Sequence, residues 1–104
     1  MRIEHGKIEG DIQLDEELIL HGMVTGNITI LKDGVLTLHG TCCKNIIMEK
    51  GARATLHGTV GGDVLNNEGY LEVYGTIAGS LHTINGHTFV DPNAVVNGNR
   101  RTIG

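Results

Sequence analysis

A chain of 104 residues carries a formal net charge of −4, with 8 Lys and Arg against 12 Asp and Glu, 16 glycines, one proline and no tryptophan. That length holds one hydrophobic core, so residues 1–104 are expected to form a single domain, and no basic stripe is present to neutralise a row of phosphates, which argues against a nucleic-acid partner. No apolar run is long enough to cross a bilayer and residues 1–5 lack a signal-peptide core, so a cytoplasmic protein with no membrane partner is expected.

The chain opens on IEHGKIEGDI at residues 3–12 and then rewrites it. The copies are LHGMVTGNIT at 20–29, LHGTCCKNII at 38–47, LHGTVGGDVL at 56–65 and VYGTIAGSLH at 73–82. Their first glycines are Gly6, Gly22, Gly40, Gly58 and Gly75, so the position number advances by 16, 18, 18 and 17. A sixth trace, VNG at 96–98, follows after a step of 23, stretched by the segment from His82 to Asn93. Units repeated at this period stack on one another, each contacting only its neighbours.

Within each unit apolar and polar residues alternate in short runs broken by glycine, the pattern of strands with one buried face. Stacking places like residues in columns. One is Leu20, Leu38, Leu56, Val73 and Val96, with Ile3 one place early. A second is Ile8, Val24, Cys42, Val60 and Ile77, and a third is Ile12, Ile28, Ile46, Val64 and Leu81. Copies that all run in one chain direction suit a coil of parallel strands about 4.8 Å apart. The expected fold is therefore all-β: a parallel β-helix, or solenoid, of about six turns with 17–18 residues each.

Handedness is read at the corners. A six-residue rhythm (Val24, Ile30, Leu36, Cys42, Met48, Ala54, Val60) also fits left-handed hexapeptide acyltransferase helices, which favour small residues four places after each aliphatic. Here those places hold Ile28, Ile46 and Val64, which favours the right-handed form. The units LHGMVTGNITI, LHGTVGGDV and YGTIAGSLHTI resemble the bactofilins, polymer-forming bacterial cytoskeletal proteins. The resemblance spans residues 3–98 and implies a right-handed, triangular β-helix that assembles end to end, without nucleotide, into scaffolds.

Four histidines, His5, His21, His39 and His57, precede the glycine column, and Tyr74 and Asn97 continue their line. Imidazole is a common metal ligand, but stacked rings aim their nitrogens side by side whereas zinc needs convergent ligands. A structural ladder is expected, with no metal. Asp11, Asn27, Asn45, Asp63 and Ser80 form a second column whose residue types bond nearby backbone at corners. Thr41, Thr59 and Thr76 form a third, ordinary for strands. Cys42 and Cys43 are adjacent and point to opposite faces, so two reduced thiols are expected. Cys43 has no general base in its column, and neither a catalytic residue nor a cofactor is expected.

The ends of an open coil expose unpaired N–H and C=O groups, and such edges are capped or pair with another chain. The self-assembly candidates are Ile3 and Ile8 in the first turn, and Phe89 and Val90, read as an apolar pair on a loop, with Val96 and Ile103 at the other end. The expected function is a self-assembling scaffold, a homo-oligomer or polymer, and not an enzyme. Alternatives are a left-handed hexapeptide-type enzyme with a histidine at a subunit interface, or a β-helical binding module that does not polymerise.

Overall fold

The computed structural model describes residues 2–103, and no helix occurs among them. Alternation puts every second side chain inside, and glycine or Asx residues end each run after two to four residues, so the chain turns three times per coil. Each of six coils gives one strand to each of three six-stranded sheets. The first sheet holds Arg2–Glu4, Glu17–Leu20, Val35–Leu38, Arg53–Leu56, Tyr70–Val73 and His87–Val90. The second holds Lys7–Ile8, Met23–Val24, Thr41–Cys42, Thr59–Val60, Thr76–Ile77 and Val95–Val96. The third holds Ile12–Leu14, Ile28–Ile30, Ile46–Met48, Val64–Asn67, Leu81–Ile84 and Arg100–Ile103. Every pairing is parallel, between consecutive coils, and the result is a three-sided β-solenoid.

The register keeps the second and third expected columns and corrects the first. Val24, Cys42, Val60 and Ile77 align, as do Ile28, Ile46, Val64 and Leu81, all buried. Ile28, Ile46 and Val64 open third-sheet strands inside the core, so the places where a hexapeptide coil would turn are interior here. In the first column, however, Val73 is followed by Val90, and Val96 continues the second column beyond Ile77. The apparent step of 23 therefore joins positions from two different columns, and no coil is that long. The Ile77 to Val96 interval exceeds the Val73 to Val90 interval by two places. The excess sits in one corner, Asp91-Pro92-Asn93-Ala94, where Asp91 Oδ2 accepts the Asn93 N–H (2.9 Å) and Asp91 O accepts that of Ala94 (2.9 Å). Phe89 and Val90 lie on the strand His87–Val90 and not on a loop.

The interior is aliphatic through the middle coils: Leu18, Leu36 and Leu71 with Ala54 between them, then Leu20, Leu38, Leu56 and Val73, and Leu14, Ile30 and Met48 on the third sheet. Beyond Met48 its column turns polar, with Asn66 and Thr83 both buried. Asn66 Oδ1 accepts the Gly69 N–H (2.8 Å) and its Nδ2 donates to His87 O and Thr88 Oγ1 (both 3.0 Å), while the hydroxyls of Thr83 and Thr88 bond at 2.7 Å. Buried polar groups persist when paired in this way.

Glycine is imposed at one corner by contact between coils. A Cβ on Gly40 would lie 1.8 Å from Gly22 O, and equivalents on Gly22, Gly58 and Gly75 would meet the preceding coil's carbonyl at 1.8, 1.9 and 2.1 Å.

Candidate functional site: the end coils and the corner columns

Each end coil presents three strands paired on one side only. At the N-terminal end, Arg2 and Glu4 are in register with the inward Leu18 and Leu20. Ile3 is therefore not a member of the inward ladder. It aligns with Ile19 on the outer face and is 50% exposed. The first coil is shorter than those that follow, so the place one coil before Leu20 falls on Glu4. Arg2 Nη2 lies 3.8 Å from Glu4 Oε1, and Glu4 Oε2 accepts the Gly6 N–H at 3.4 Å. Ile8 and Ile12, by contrast, point inward and pack on the core half-buried.

At the other end, Val90 and Val96 close two inward columns and also pack on the core. Arg100 takes the inward register position above Leu81, and Thr102 that above Thr83. Phe89 and Ile103 are outward, 43% and 53% exposed. The six candidates thus divide into Ile8, Val90 and Val96 inside, and Ile3, Phe89 and Ile103 outside. Ile3 and Phe89 occupy the same outward column, five coils apart.

The Asx column is a chain of hydrogen bonds joining coil to coil. Asp11 Oδ1 accepts the Asn27 N–H (2.7 Å), Asn27 Oδ1 that of Asn45 (3.0 Å), and Asn45 Oδ1 that of Asp63 (2.8 Å). Asp63 Oδ1 then accepts the Ser80 N–H (2.8 Å), and Ser80 Oγ accepts that of Asn99 (3.1 Å). The side chains span corners between coils, and the column extends one coil beyond Ser80.

The histidines stack as a ladder. Ring centroids of His5, His21, His39 and His57 are 4.9, 4.9 and 5.1 Å apart, with planes within 9°, and Tyr74 follows at 5.0 Å. The next position is Asp91, whose N–H donates to Val73 O as that of Tyr74 does to Leu56 O. Asn97 instead belongs with Cys43, Gly61 and Ala78, because all four donate to the inward residue of the preceding second-sheet strand. Among the described residues no three His, Cys, Asp or Glu side chains converge on a point that would hold a metal.

One cluster escaped the repeat reading. All three aromatic residues of the chain other than histidine, Tyr70, Tyr74 and Phe89, lie exposed beside the first sheet. Tyr74 and Phe89 rings are 5.9 Å apart, Tyr70 stacks on His87 at 4.9 Å, and the Arg53 guanidinium sits 5.7 Å from the Tyr70 centroid. The Tyr74 hydroxyl donates to Glu72 Oε1 at 2.7 Å, and the hydroxyls of Tyr74 and Tyr70 hold the Glu72 carboxyl below its ordinary range. Spacing held the signal: Tyr70 and His87, like Glu72 and Phe89, stand one coil apart.

The two thiols differ in environment. Cys42 is buried, its Sγ lies 3.6 Å from Gly26 O and 3.7 Å from Asn45 O, and burial pushes its thiol up. Cys43 is exposed and free. Thiolate is the reactive form, so one thiol per chain is expected to react promptly with a thiol-specific reagent under native conditions and the second only on unfolding. Two equivalents reacting at one rate in folded protein would show that the third coil opens.

Among the described residues no helix is long and apolar enough to cross a membrane. No protein-family profile, curated protein or solved structure matches the chain.

Proposed function

We propose that the chain is a self-assembling structural module of the bactofilin kind, joined through the ends of its solenoid, with no catalytic residue, metal or cofactor assigned. The observation that carries this reading is the pair of end coils, each with three parallel strand edges unpaired among the described residues. Such edges are templates for another chain. Inward Ile8 at one end and Val90 and Val96 at the other are only half-buried, so a joint would remove their remaining apolar surface from water.

Light scattering and electron microscopy test the proposal. The parent is expected to form extended particles that grow with concentration. Ile8→Lys puts a charge at the joint. Ile3→Pro removes an N–H directed at the free edge, since the neighbouring Glu4 carbonyl is already taken by His21 of the second coil and successive residues of a strand alternate sides. Either variant is expected to raise the concentration needed for assembly by about tenfold, equivalent to about 1.4 kcal/mol. A parent that stays monomeric at high concentration, at low and high salt, overturns the reading.

A second reading rests on a specific observation. Arg2, Glu4 and Arg100 occupy inward register positions in the end coils, and inward charges are a device that blunts sheet edges. They favour a solenoid that stays single and binds through a face, and monomeric scattering is its expected result.

A further inference from the structure

Three peptides in the chain join Asp or Asn to glycine: Asp33–Gly34, Asn85–Gly86 and Asn97–Gly98. In two of them the glycine nitrogen is held. The Gly34 N–H donates to Leu31 O at 2.9 Å, and that of Gly98 to Gly79 O at 2.9 Å. The peptide between Asn85 and Gly86 differs. Among the described residues neither its N–H nor its C=O has a hydrogen-bond partner, and the Asn85 side chain has none either.

The repeat explains the difference. One coil earlier Glu68–Gly69 stands in register and is tied at both atoms. Glu68 O accepts the Gly51 N–H (3.4 Å), and Asn66 Oδ1 accepts that of Gly69 (2.8 Å). In the fifth coil Thr83 takes the place of Asn66, and its hydroxyl bonds Thr88 instead (2.7 Å), so the Gly86 N–H has lost its acceptor. The flanking donors stay fixed, the Asn85 N–H on Ile103 O (2.7 Å) and the His87 N–H on Gly69 O (2.9 Å). One peptide plane is therefore left to rotate between two anchored ones. Asn85 is exposed with φ 51°, a left-handed conformation that asparagine tolerates at turns. With Gly86 it lines an open cleft of about 490 Å³ that water can enter.

We propose that Asn85 is a self-modification site, where the folded chain converts its own asparagine into aspartate and isoaspartate. The Gly86 nitrogen, once hydroxide has taken its proton, attacks Asn85 Cγ. The new N–C bond closes a succinimide as the Cγ–Nδ2 bond breaks, and Nδ2 leaves as ammonia with a proton from water. Water then adds to either ring carbonyl and opens the ring, giving aspartate by one route and isoaspartate by the other. The sum is one amide and one water in, one carboxylate and one ammonium out, with no oxidant or cofactor. Glycine at 86 puts no side chain in the way of the attack. The product carboxylate stands one coil from Glu68, and like charges facing each other across paired strands repel. The isoaspartyl form also carries the main chain through the former side chain, adding a methylene between the anchors on Ile103 and Gly69. Reaction at Asn85 therefore loosens this corner as the molecule ages.

The test keeps the full chain folded at mildly alkaline pH, beside a portion unfolded in guanidinium chloride, and follows both by tandem mass spectrometry. In the unfolded chain Asn85 and Asn97 both precede glycine and are expected to react at similar rates. In the folded chain Asn85 is expected to outpace Asn97 several-fold, with isoaspartate as the main product. Equal folded rates overturn the proposal, and so does aspartate without isoaspartate, which marks direct hydrolysis. Amide hydrogen exchange tests the cause separately. The Gly86 N–H is expected to exchange several-fold faster than that of Gly98, and equal protection overturns the part assigned to the untied peptide. Isoaspartyl protein, separated by anion exchange, is expected to unfold at a lower urea midpoint than the parent, and an unchanged midpoint overturns the loosening. These outcomes are the same whether or not copies of the chain assemble.

Discussion

Gly40→Ala unfolds the solenoid far more readily than the same change at Gly6. The added Cβ at residue 40 would sit 1.8 Å from Gly22 O and 2.7 Å from His21 O, both backbone atoms. Gly22 O cannot swing away freely, because it accepts the Thr41 N–H at 3.0 Å, and the Gly40 N–H is itself bonded to Leu20 O at 3.0 Å. No rotamer relieves a methyl group, so the coils must part and several ladder bonds lengthen together. The expected cost is about 3 kcal/mol or more, at or above the usual range for overpacking. Gly6 stands at the head of the same column with no described coil before it, and its Cβ would meet only Glu4 Oε2 at 3.7 Å. Gly6→Ala is expected within about 0.5 kcal/mol of the parent, as for an unconstrained surface site. Urea unfolding of the two variants at low protein concentration measures the gap. Equal midpoints would show that the coils do not stack at this corner.

Ile46→Ala removes about 2–5 kcal/mol of stability, the range for a buried large-to-small change. Ile46 is fully buried, held between Ile28 and Val64 in its column, in a coil with two more on one side and three on the other. The cavity therefore has no route to solvent, and its lining loses contacts outright. Small neighbours sharpen the effect, since Cys42 and Ala54 already occupy inward positions where Val24 and Leu36 stand one coil earlier. Ile8→Ala, at a half-buried end position, is expected to cost less than about 1.5 kcal/mol by the same area argument. Denaturant titration of both variants checks the order, and an Ile46→Ala protein as stable as the parent would place that column outside the core.

Most of the solenoid was legible because alternation and a constant step are themselves geometric statements. Once Gly22, Gly40 and Gly58 recur at equal intervals, the columns Val24–Cys42–Val60 and Ile28–Ile46–Val64 follow without knowledge of any contact. The failures fall at the two ends, where polar residues take inward positions. Thr88 stands where Leu71 stands one coil earlier, so HTFV does not read as an alternating strand, and its inward hydroxyl is explained only by Asn66 and Thr83. Arg2 and Glu4 hide the first strand in the same manner, making Ile3 look like the inward residue. The VNG triplet misled for another reason. Its glycine belongs with Gly79, to whose carbonyl it donates at 2.9 Å, and not with Gly75. A two-residue excess in the Asp91 to Ala94 corner shifts everything after it, and motif matching cannot see an insertion that leaves a familiar triplet downstream.

The polar trio of Asn66, Thr83 and Thr88 gives a repetitive molecule an address. Near-identical coils invite a strand to pair one coil out of place while the chain folds, since aliphatic meets aliphatic either way. Asn66 forbids that slip on its own strand. Moved one coil back, its amide would take the place of Met48 against Ile30, and the His87 carbonyl and Thr88 hydroxyl would lose the partner they have now. Each orphaned group costs about 1–3 kcal/mol, so the fourth coil finds one place in the stack, and the number of coils between it and Arg2 is counted correctly each time the chain folds.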